Sequence, residues 1–90
     1  MSGRKMIDLG EITPEELAEA SHYSVEIHWS PEDQVFIADV PELPGTRTHG
    51  ATQAEAVEMA TEAAALWIAA ARYYGEQIPA PRLLTFSRAD

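Results

Sequence analysis

From Tyr23 to Ser30 apolar and polar residues alternate without a break: Tyr23, Val25, Ile27 and Trp29 against Ser24, Glu26, His28 and Ser30. A period of two is that of an extended strand with one face buried. Ser30-Pro31-Glu32-Asp33-Gln34 supplies turn chemistry, and Val35 to Val40 reads as the returning strand of a hairpin. Pairing Ser30 with Val35 sets Phe36, Ala38 and Val40 on the face of Trp29, Ile27 and Val25. A slip of one residue would turn Asp39 inward, so the first register is predicted. That register leaves Val35 and Ile37 beside His28 on the opposite face, where they are either covered or form a partner surface.

Pro41-Glu42-Leu43-Pro44-Gly45 cannot extend a central strand, because two prolines remove ladder donors. A tight corner is expected, with Gly45 at positive φ. Thr46 to His49 predicts a short third strand ended by Gly50. Thr52-Gln53-Ala54-Glu55 is a capping box opening a run to Tyr74 free of Pro and Gly, a helix of about 22 residues and roughly 33 Å. Ala56, Ala60, Ala63, Trp67, Ala70 and Tyr74 recur at helical spacing and are expected to face the sheet, with Trp67, Tyr73 and Tyr74 as core aromatics. Gly75 is placed as the C-terminal cap, and Ile78-Pro79-Ala80-Pro81 as an extended exit. Arg82 to Phe86 is a candidate fourth strand. Upstream, Thr13-Pro14-Glu15-Glu16 carries a second helix-start signature, which predicts a short, peripheral helix over 14–21 after a mobile arm at 1–12.

Ninety residues, 46% of them hydrophobic, hold one compact core and leave little room for a second. A core of that size makes self-association plausible. The absence of cysteine excludes disulfides, thiolate nucleophiles and Cys-type zinc sites, and suits a reducing compartment. No apolar run approaches the roughly 18 residues of a membrane span and no signal peptide is legible, so a soluble cytoplasmic protein is expected. The formal charge of −9 repels phosphate backbones and suits a basic partner, or serves solubility alone.

The candidate chemistry is sparse. His22, His28 and His49 lack the paired spacing of a zinc site. His28 reads as a strand residue on the solvent or partner face, and His49 as a turn-flanking residue hydrogen-bonded locally. Glu26 and Asp39 read as solvated strand positions and Asp33 as a turn residue, which is weak support for hydrolytic carboxylates. No Gly-rich phosphate loop and no nucleophile elbow is present. No catalytic residue, cofactor or metal is assigned.

Taken in order, the acidic hairpin turn at Ser30-Pro31-Glu32-Asp33, the corner Val40-Pro41-Glu42-Leu43-Pro44-Gly45, the helix start Gly50-Ala51-Thr52-Gln53-Ala54-Glu55-Ala56 and the exit Gly75-Glu76-Gln77-Ile78-Pro79-Ala80-Pro81 resemble the HicB-like antitoxin domain. That family's pattern is an acidic turn, a V-P-D-L-P-G corner, a G-x-T-x-x-E-A helix start and a G-x-x-[I/L]-P-x-P exit. The resemblance spans residues 23–81. It carries Asp33, Pro41, Leu43, Pro44, Gly45, Gly50, Thr52, Glu55, Gly75, Pro79 and Pro81 as structural motif positions. Gln34 stands where the family has a turn glycine, and Glu42 where it has Asp.

The resemblance implies a partial RNase H-like α+β fold without catalytic residues. In that fold a three- to four-stranded antiparallel sheet carries one long helix on one face, with the short N-terminal helix added. Residues 1–22 form the arm with its helix, and 23–90 the domain. It further implies binding and neutralisation of a small basic HicA-type toxin ribonuclease, and assembly as a dimer or tetramer. Glu26, His28, Val35, Ile37 and Asp39 are the expected partner-binding residues. Many relatives carry a DNA-binding domain after the exit, but only nine residues follow Pro81, so no direct nucleic-acid binding is expected. A stand-alone oligomeric domain binding another protein or a small ligand, with no toxin, is the competing reading.

Overall fold

The computed structural model describes residues 12–82. The order is α1 (Pro14–Ala20), β1 (Glu26–Ser30), β2 (Val35–Asp39), β3 (Arg47–Gly50) and α2 (Gln53–Tyr74). The three strands form one antiparallel sheet in the order β1-β2-β3. This is the expected α+β arrangement. The expected arm and the candidate fourth strand fall almost wholly outside the described residues.

The hairpin register is the predicted one, with Ser30 opposite Val35, Trp29 opposite Phe36 and Ile27 opposite Ala38. The Trp29 and Phe36 rings meet edge to face, their centroids 4.9 Å apart. The turn between the strands places Gln34 at φ 58°, a left-handed conformation. A glycine there would be unstrained, which is the physical content of the departure at this position. Its side-chain amide donates to the Pro31 carbonyl at 2.8 Å.

Strand β1 begins at Glu26, three residues later than the alternation suggests, because pairing with β2 stops at Glu26 opposite Asp39. Tyr23 instead turns into the core, and its hydroxyl donates to the Pro79 carbonyl of the exit segment. Glu42 fastens the same region: its carboxylate accepts from the Ser24 N–H and hydroxyl and from the Arg82 N–H at 2.8 Å. In the corner Leu43 is fully buried and Gly45 takes φ 81°, as expected.

Helix α2 crosses β3 and β2 and buries Ala56, Ala60, Ala64, Ala65, Ile68 and Ala71. Ala56 and Ala60 of the expected stripe are buried, but farther along it is rotated: Ala63, Trp67 and Ala70 flank the contact, and Tyr73 and Tyr74 are 66% and 67% exposed, their rings meeting edge to face. Trp67 packs at the edge of the core, its indole N–H donating to the Pro44 carbonyl. With alanine at nine of 22 helix positions the two faces differ little in hydropathy, and close approach to the sheet decides which one is buried. Gly75 caps the helix in the left-handed conformation, as predicted.

The start of α2 differs in one detail from a capping box. Thr52 accepts from the Glu55 N–H, but the Glu55 carboxylate reaches back to Ala51 rather than to Thr52. The full reciprocal box occurs at Thr13 and Glu16 of α1. That short helix ends one residue early and packs on α2, burying Ala20, with Arg72 bridging to Glu16 and Glu19.

Candidate functional site

Residues of alternating parity in the sheet divide between two faces. Ile27, Phe36, Ala38 and Thr48 lie on the face that packs on α2, and Trp29, on the same face, is 48% exposed at its edge. The other face, which none of the described helices covers, carries Glu26, His28, Val35, Ile37, Asp39, Arg47 and His49. The five residues expected to engage a partner are thus brought onto one surface. Val35 and Ile37 are half-buried there by their neighbours and lie outside the core cluster.

The register organises this face into cross-strand rows. His28, Ile37 and His49 form one row, with the aliphatic side chain between two imidazoles. Glu26, Asp39 and Arg47 form the next. Arg47 donates to Asp39 through both Nε at 2.7 Å and Nη2 at 3.2 Å, a bidentate pair. His28 Nε2 stands 3.6 Å from the Asp39 carboxylate. The Arg47 hydrogen bond, together with its charge and that of a protonated His28, holds the Asp39 carboxyl below the usual carboxylate range despite partial burial.

A shallow groove of about 330 Å³ runs beside the rows, lined by Asp33, Val35, Ile37, Arg47 and His49. Its floor is aliphatic and its rim carries both signs of charge. Such a surface suits protein docking, in which an apolar centre is enclosed by polar groups. Among the described residues no group of three metal-ligating side chains converges, and no helix is long and apolar enough to cross a membrane.

Two members of this face were not identified from the sequence. His49 lies within the third strand, as expected, but as an exposed residue of the outer face opposite Ile37 and not as a turn-flanking one. Arg47, the other, anchors Asp39 through its guanidinium. Continuing the alternation of the hairpin into the third strand, with Ile37 as the reference row, would have placed both. Asp39 is correspondingly an ion-paired residue and not a freely solvated one.

No curated protein and no solved structure matches the chain. A family model described as the HicB_like antitoxin of bacterial toxin-antitoxin systems matches residues 23–90, which takes in the hairpin, the corner, α2 and the exit. With about three quarters of its length inside that match, the chain belongs to the HicB-like antitoxin family.

Proposed function

We propose that this chain is a non-catalytic cytoplasmic antitoxin that neutralises a small basic HicA-type toxin ribonuclease by docking it on the outer sheet face. The observation that carries the reading is Ile37. It is an aliphatic side chain on a sheet face uncovered by the described helices, within reach of the carboxylates Glu26, Asp33 and Asp39. The formal charge of −9 draws a basic partner toward the chain, and the apolar row retains it once water is displaced. Glu26, His28, Val35, Ile37 and Asp39 make the contacts, and the chain acts as a homo-oligomer without binding nucleic acid directly.

The test is whether a small basic protein is encoded beside this gene and, on co-expression, is neutralised by the chain. Relief of growth arrest and co-purification are expected. Ile37→Glu weakens the complex by about 10- to 100-fold, the equivalent of losing one buried aliphatic side chain. Undiminished binding by a folded Ile37→Glu chain removes the outer face from the interaction, and a neighbour that neither arrests growth nor binds removes the toxin.

A further inference from the structure

We infer that acidification switches off docking on the outer sheet face through His28 and His49, an inference that rests on the proposed binding of a basic partner there. The two imidazoles come from opposite edges of the described sheet, and the register sets them on either side of Ile37. Both are exposed. The charged groups that share their surface are Glu26 on β1, Asp39 on β2, Arg47 on β3 and Asp33 at the hairpin turn.

At neutral pH three carboxylates stand against one guanidinium, and the face is acidic. Protonation of both rings cancels that local excess and weakens the attraction for a basic surface, although the chain as a whole stays acidic. It also changes what must be dried. Seating a partner's apolar side chain on Ile37 then strips water from two cations instead of two neutral rings, which is far more costly. A protonated His28 has Asp39 at 3.6 Å and competes with the partner for that carboxylate. His22 lies in the connection between α1 and β1, away from this face, and serves as an internal control.

A ring that must be neutral to dock loses affinity as it takes up a proton, and two such rings on either side of one contact lose it together. The experiment titrates the full chain with the catalytically inactivated basic protein encoded beside its gene at both pH values, circular dichroism confirming that both partners stay folded. The dissociation constant is expected to rise at least about tenfold at pH 5.5. The double variant His28→Gln, His49→Gln binds with one constant at both pH values, and His22→Gln behaves as the parent. A smaller rise in the parent, or the same rise in the double variant, overturns the switch while leaving the docking face standing. Absence of a complex at pH 7.5 overturns the docking reading and the switch with it.

Discussion

A side-chain carbon on Gly50 would fall 2.6 Å from the backbone nitrogen of Ala56, well inside van der Waals contact. Gly50 ends β3 opposite Phe36, and α2 starts its first turn directly above it. Glycine is needed here for close approach of two backbones and not for an unusual dihedral angle. Gly50→Ala is expected to destabilise the domain by about 1–3 kcal/mol through overpacking. Denaturant titration checks this, and an unshifted midpoint would mean that the helix start moves freely over the strand.

Gly45 and Gln34 both take positive φ, at 81° and 58°, and predict opposite signs of effect. Nothing lies within 4 Å of a carbon added at Gly45, so Gly45→Ala costs only the backbone penalty, about 1–2 kcal/mol. Gln34→Gly relieves the same penalty, offset by glycine's unfolded-state entropy and by the lost bond to Pro31. A net gain of roughly 0.5–1 kcal/mol is expected. Melting temperatures that move in the same direction for the two variants would contradict the shared cause.

The Thr46 hydroxyl is buried and has no hydrogen-bond partner among the described residues, although its backbone N–H and carbonyl are both used by the corner. Thr46→Val keeps the shape and removes the unpaired oxygen. Stability should stay level or rise by up to about 1 kcal/mol. A clear loss in thermal unfolding would show that the hydroxyl has a partner in solution.

Glu42 predicts a pH dependence of stability. Burial pushes its carboxyl up, but the hydrogen bonds from the Arg82 N–H, the Ser24 hydroxyl and the backbone outweigh it and leave the group below its ordinary value of 4.5. The unfolded chain therefore takes up a proton before the native one does. The contribution of Glu42 is complete above about pH 4.5 and is lost as pH falls through the lowered native value. Glu42→Gln should be less stable than the parent at pH 7, the difference shrinking below pH 4.5. A constant difference from pH 7 to pH 3 would exclude the carboxylate hydrogen bonds as its source.

What the sequence determined by itself was local. Alternation from Tyr23 and the turn residues set the hairpin and its register, because period two and loop length are properties of neighbouring residues. Gly45, Gly75, and Thr13 with Glu16 announced their turns and caps for the same reason. The four motifs in order carried the family, and the hairpin alternation put Glu26, His28, Val35, Ile37 and Asp39 on one face.

Tertiary structure decided whatever depended on a distant partner. The buried face of α2 was not legible, since alanine on several sides gives little contrast and only contact with β3 and β2 selects Ala64 and Ile68 over Ala63 and Trp67. Tyr23 lies outside the paired strand and inside the core, where the Pro79 carbonyl, 56 positions away, accepts its hydroxyl. Glu42 became a fastening point only where the chain brought Ser24 and Arg82 to it. Arg47 and His49 joined the outer face because β3 pairs with β2. Sequence spacing constrains a residue's neighbours along the chain, whereas hydrogen bonds and packing across the sheet depend on where the corner returns the backbone.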